Sequence, residues 1–355
     1  MLMIVRSHRL LVLFAFSFCV SISLRAQKYT LRFDTVFHTI RQASYGKLRV
    51  IDLRANKESL GELKTGAFNR SKSIVTEQPL PEVLASYYDR MLAGPSNEHI
   101  ELLLVVHGLK IEDQANNGQI GTFYLDVDLF GGHRNRYVFL SKIDSLYEAT
   151  SGFDVSALLL HSVKQKMSSI LQQHGSQRLR HIKDYVLDEE QVLTRRQQVR
   201  SEFPVYQAKY FKKGVYYTME QFLNNSPVDT PFMKSVRETN WEGIQEEYFY
   251  YTNEKGQRSS EMKPKTFFAI YDGEAWSLSG MDYAQPMEFI RGDFYADMEF
   301  RGVLDGTGAT TASMMGGLIG AAIEARMGKT HYTMGLYRSR FDPERKAFSP
   351  QQRLK

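Results

Sequence analysis

Asp126 and Asp128, two residues apart in "YLDVDLFGG", come nearest in this sequence to a pair whose type and spacing could do chemistry. Side chains at i and i+2 of a strand share a face, so the two carboxylates form a candidate site for a divalent cation and the phosphates of a glycosyl donor. The same spacing also arises from alternation in a half-buried strand, with Leu125, Val127 and Leu129 inward and both acids in solvent. Alternation alone demands this pattern, so the sequence favours the solvated reading.

The other motifs that imitate catalysis fail on chemistry. "RMGKT" ends like a phosphate loop, but Ile323 stands where the first glycine of G-x-x-x-x-G-K-[ST] belongs. Gly328 would moreover follow a helix, whereas a phosphate loop must precede one so that its amides face the phosphate. No histidine pair forms H-E-x-x-H, and His107 in "LLLVVHGL" reads as a strand histidine without a visible acid–base partner. Neither a G-x-S-x-G elbow nor a G-x-G-x-x-G turn after a strand is present. Carboxylates far apart in sequence and united by folding stay open as a hydrolytic alternative. No catalytic, metal or cofactor-binding residue is assigned, and no cofactor is implied.

Residues 1–26 place Arg6 and Arg9 before the apolar run Leu10 to Ile22, followed by Leu24-Arg25-Ala26. This is the order of a secretory signal peptide, expected to be cut after Ala26. Leu10 to Ile22 would span only about 20 Å as a helix, short of a bilayer core of about 30 Å. The leader carries three arginines and no acid, so its removal lowers the formal charge from +5 to +2 and weakens any case for a nucleic-acid partner. Cys19, the one cysteine, also lies in the leader. The residues before it, Phe16-Ser17-Phe18, do not suit lipidation, and the mature chain has no thiol for disulfide, thiolate or zinc chemistry.

The positioning elements follow from periodicity. Strands are expected at 29–37 and 47–54, then a polar loop to Gln78, then a proline-led helix with Val83, Leu84, Tyr87, Tyr88 and Met91 on one face. Three strands follow, with turns at Asn116-Asn117-Gly118 and Gly131-Gly132-His133, and then an amphipathic helix over 153–173. This module, 27–173, is an N-terminal sheet with helices packed on one face. Residues 174–204, dense in Arg, Glu and Gln, read as a polar linker or helix; a basic contact surface is the sharper reading, but both charge signs are mixed. A β-rich C-terminal domain, 205–355, includes a capping box at Thr218 and Gln221 and a hairpin signal at Asp272-Gly273. The fold class is α+β.

Within that domain, 309–326 reads as a glycine-rich helix. Ala312, Gly316 and Gly320 recur every four residues, with Gly317 and Ala321 beside them, a small-residue stripe that lets another backbone approach closely. The helix either packs tightly, within the chain or in an oligomer, or contacts a membrane. The uncharged stretch Thr307 to Ile323 sits at the bottom of the spanning range.

Two resemblances accompany this reading. "LRVIDLRANKESLGELKTG", with Asp52-x-Arg54 and Leu60-Gly61, followed by the helix, strands and closing helix, resembles the YajG-type envelope lipoproteins and, more loosely, auxiliary lipoproteins of ABC-type transport systems. It departs from them at the lipidation site. The second half, with "GVYYTMEQFLNNSP" and "FAIYDGEAWSLS", is similar to uncharacterised exported proteins of Bacteroidota, whose leaders also often end in Ala-Gln, as Ala26-Gln27 do here. The resemblances imply an exported envelope protein whose partner is another envelope protein or a lipid-system component. The expected role is a non-catalytic binding or scaffold module, located in the periplasm or outer envelope.

Overall fold

The computed structural model describes residues 27–354 apart from 66–69, 95, 97–98, 115–118, 152–154, 179–185, 239–244, 281, 305–308 and 314–331. The expected leader and the Asn116–Gly118 turn lie outside the described residues. The fold is mixed α/β with a β-rich C-terminal region.

The first half is built on three long antiparallel strands, β5 (Glu101–Gln114), β6 (Gln119–His133) and β7 (Arg136–Ser151). The outer edge of β5 takes β2 (Lys47–Asp52) in parallel and then touches β3 (Gly61–Thr65), which pairs with β4 (Arg70–Val75); β1 (Gln27–Thr30) runs parallel to β4. Helices α1 (Leu80–Met91) and α2 (Ser156–Gly175) cover one face. Leu84, Tyr87, Tyr88 and Met91 of α1 and Leu159, Val163, Met167 and Leu171 of α2 share a core with Leu102, Leu104, Leu125, Val127 and Leu129. Both helices start without a side-chain cap, so burial of their apolar stripes holds them.

Three local expectations are corrected. Of the first predicted strand, 29–37, only Tyr29 and Thr30 fall in β1 (Gln27–Thr30). The stretch expected to be a loop up to Gln78 contains the hairpin β3–β4, hidden in the sequence because its main inward residues are just Leu63 and Ile74. The β6–β7 turn falls at Arg134-Asn135, both at positive φ (47° and 65°), and Gly131 and Gly132 lie within β6. Gly61 is required where β3 meets β5: its φ is +130°, and a Cβ there would sit 1.9 Å from the Ile111 carbonyl oxygen.

The polar stretch after α2 contains α3 (Glu189–Ser201), opened by a capping box between Asp188 and Gln191, and α4 (Pro204–Gln207). The second half then runs β8 (Gly214–Tyr216), α5 (Met219–Leu223), β9 (Phe232–Glu238), β10 (Gln245–Thr252), β11 (Arg258–Met262), β12 (Ala269–Tyr271), β13 (Trp276–Ser279), β14 (Ala284–Ile290), β15 (Asp293–Leu304), β16 (Ala309–Ser313), β17 (Tyr332–Asp342) and β18 (Ala347–Arg353). The Thr218–Gln221 capping box forms as expected and fixes α5. Asp272-Gly273 does open a hairpin, through a turn of four residues between β12 and β13. The core here is aromatic: Phe222, Trp276, Phe294 and Phe341 meet in edge-on contacts.

The halves are joined by backbone pairing. β16 binds β15 on one side and β7 on the other, with Ala309 opposite Ala149 and Thr311 opposite Tyr147. The glycine-rich helix expected from residue 309 therefore does not begin there. Residues 309–313 are extended, and the β-branched pair Thr310-Thr311 suits a strand paired on both edges.

Candidate functional site

The second face of the β5–β6–β7 sheet is where charge collects. In the β6–β7 register Asp126 lies opposite Asp144, Asp128 opposite Lys142, and Thr122 opposite Glu148. Period-2 alternation puts Asp126, Asp128, Lys142, Asp144 and Glu148 on one face, turned away from the helices. This face is not in solvent: Asp126, Asp128, Asp144 and Glu148 are all buried. The solvated reading of the Asp126/Asp128 pair is thus corrected, because α3, β17 and β18 lie across it.

Each acid is met by a partner from those covering elements. Arg196 of α3 donates from Nε and Nη2 to the two oxygens of Asp128, each at 2.8 Å, and from Nη1 to Asp126 at 2.8 Å. Arg340 of β17 bridges Asp126 (2.8 Å) and Asp144 (2.9 Å), which also accepts from the Tyr124 hydroxyl and the Gln351 amide at 3.1 Å each. Glu148 receives Arg353 at 2.9 and 2.8 Å and the Tyr337 hydroxyl at 2.7 Å. Lys142 reaches Asp342 at 2.7 Å, and His107, carried on a bulge of β5, places Nε2 3.3 Å from Asp128. Towards the other end of this face Val192 of α3 packs on Leu103, Val105, Phe130 and Tyr137, so one helix supplies both an apolar and a cationic anchor.

The electrostatics follow from this crowding. Burial pushes the Asp126 carboxyl up, but Arg340 and Arg196 outweigh it and hold the group well below the usual carboxylate range. Burial is likewise overcome at Asp128, where His107 and Arg196 bring the value down to about 2. Burial raises the Tyr124 and Tyr337 hydroxyls, keeping both neutral and able to donate. Asp293, at the start of β15, goes the other way: burial raises it despite Arg200 2.7 Å away. A small cleft lies at the margin of this seam, lined by Lys142, Arg196, Arg200, Arg340 and Asp342, with a volume of about 10 Å³, room for a single water.

Of the residues proposed for helix packing or membrane contact, Ala312 lies on β16, and Gly316, Gly317, Gly320 and Ala321 lie outside the described residues. Arg196, Arg340 and Arg353, which build the seam, carry no motif. The sequence does hold a trace of them. "SKIDSLYE" puts Lys142, Asp144 and Glu148 on one face of β7, next to the two aspartates of β6, more acid than a single strand face needs. Among the described residues no group of three or more His, Asp or Glu side chains is placed to hold a metal.

One expectation concerns Tyr337, fully buried with its hydroxyl between Glu148 and Arg353. Tyr337→Phe should lower stability by about 1.5 kcal/mol, the low end for a hydrogen bond to a charged group, because Arg353 still neutralises Glu148. Equilibrium urea unfolding measures it; an unchanged midpoint would contradict the assigned bond.

No family model matches the sequence, and no curated protein matches it. Among solved structures, the chain is similar to a Xanthomonas campestris protein described as DUF330, at 15% identity and a TM-score of 0.27, covering 39% of this chain and 89% of that one. A second, described only as an uncharacterized protein, shows 13% identity and a TM-score of 0.26 over 42% of this chain and 97% of that one.

Proposed function

We propose that this is an exported, non-catalytic protein of the periplasm or outer envelope that acts as a binding or scaffold module for a protein or lipid-system partner. One observation carries the reading: the carboxylates that folding brings together at the seam are each engaged by arginine, tyrosine, amide or histidine partners donated by other elements. Acids so engaged hold two halves of a chain together, and two of them are shifted away from, not towards, the range a general acid needs.

The hydrolase alternative has one point in favour, the raised carboxyl of Asp293 beside the cleft residue Arg200. The cleft argues against it, because ligand pockets commonly measure about 300–1,000 Å³ and this one admits a water. The direct test is to pass envelope extract over immobilised mature protein and, in parallel, to incubate the protein with glycan and peptide libraries. A retained partner with no turnover is expected. Turnover with no stable partner would sink the proposal.

A further inference from the structure

The β-rich half ends in a surface that the seam does not use. The segment Lys209-Tyr210-Phe211-Lys212-Lys213 links α4 to β8, and its Phe211 is wedged among the rings of Tyr271, Trp276, Phe289 and Phe294 at 5.1–5.8 Å. The neighbouring Tyr210 is 76% exposed, the most exposed large apolar residue among those described. Phe289, which touches Phe211, and Ile290 are 37% and 42% exposed. They close β14 at the two-residue turn Arg291-Gly292, whose φ values of 53° and 83° make a tight hairpin tip. A rigid aromatic base thus presents apolar groups outward.

Cations surround them. Lys209, Lys212, Lys213 and Arg291 are exposed, and none makes an ion pair among the described residues. Most carboxylates on the adjoining turns are already engaged: Glu288 with Arg338, Asp293 with Arg200, and Asp272 with Lys234 and its own turn amides. Exposed Glu274, and exposed Asp229 beside the Val215–Val228 bridge, make no ion pair among the described residues, and two acids against four cations leave the end net positive. Apolar tips among long flexible cations match an anionic bilayer surface: the tips enter the headgroup boundary while lysine stems reach along it to phosphates. A protein partner would need a shaped recess for Tyr210, whereas a plane of charge needs only cations free to move.

We infer that the end formed by Lys209–Lys213 and the Phe289–Arg291 hairpin tip docks on an anionic lipid surface. The inference rests on the proposed binding role and names its partner. Sedimentation of the mature protein with vesicles of phosphatidylcholine alone and of phosphatidylcholine mixed with phosphatidylglycerol tests it. Binding is expected on the mixed vesicles and should fall with added salt. Tyr210→Ser with Phe289→Ser should weaken partitioning at least tenfold. Lys212→Ser with Lys213→Ser should weaken it about twenty-fivefold on mixed vesicles, since each cation near such a surface contributes about fivefold. Unchanged melting of the lysine variant keeps that comparison free of folding effects. Failure to bind mixed vesicles, or binding that ignores both variant pairs, would overturn the inference. Capture of an acidic protein through the same residues, with vesicles unbound, would overturn it while leaving the binding role standing; library turnover would instead remove the binding role.

Discussion

Arg340→Met is expected to destabilise the protein by about 3–5 kcal/mol at neutral pH, the usual cost of removing one partner from a buried ion pair. Arg340 is nearly buried and joins Asp126 to Asp144, whose side chains are essentially without solvent contact. Methionine fills similar space but leaves two facing carboxylates, directly opposite in the β6–β7 register, with one cation fewer. Adding Asp144→Asn should recover part of the loss, because Asp126 keeps Arg196 while the amide still accepts from Tyr124. The pH dependence should also change. Asp126 and Asp128 have folded values below the unfolded carboxylate value near 3.9, so their contribution is complete above about pH 4 and is lost as pH falls through the folded value, about 2 for Asp128. In the variant, protonation relieves an unpaired charge, so its deficit relative to the parent should shrink as pH drops from 6 towards 4. Denaturant midpoints measured across that range decide the matter. A deficit below about 0.5 kcal/mol at neutral pH would mean that the seam is an ordinary surface pair.

Phe222→Ala should cost a similar amount, about 3–5 kcal/mol, for a different reason. Phe222 sits on the single short turn of α5, which has little stability of its own, and is fully buried against Tyr216, Phe268, Trp276, Phe294 and Phe341 at 4.9–6.2 Å. Truncation opens a cavity between rings that cannot close over it, four of them fixed on β8, β13, β15 and β17 and Phe268 held just before β12. Phe341 follows Arg340 directly on β17, so loosened packing should reach the seam. The observable is a lower urea midpoint with weaker near-ultraviolet dichroism. A loss under about 1 kcal/mol would mean that the ring cluster does not hold this half together.

The two predictions draw on sites of unequal visibility. Phe222 could be anticipated: "TMEQFL" announces a capped turn carrying an aromatic, and the aromatic richness of the second half announces what it packs on. Arg340 could not be. It lies in "YRSRF", where two arginines alternate with Tyr337, Ser339 and Phe341 as on any edge or surface strand, and its acids are about two hundred positions earlier. The hairpin β3–β4 was equally hidden, since Leu63 and Ile74 give too few inward apolar residues to separate a strand from a polar loop.

What the sequence determined by itself was whatever repeats within one element. The spacing of Leu84, Tyr87, Tyr88 and Met91 made α1 a helix and named its buried face, and alternation along β5, β6 and β7 made them antiparallel strands with Leu125, Val127 and Leu129 inward. Alternation also put Asp126 and Asp128 together on the opposite face. Whether that face meets water was decided only by the tertiary structure. Period-2 patterning says which side chains share a face, but the surroundings of that face depend on which distant element covers it, and an ion pair across a fold leaves no periodic trace in either strand. Arg196 and Arg340 turned two apparently solvated aspartates into the middle of the joint between the halves, with Arg353 on Glu148 farther along it.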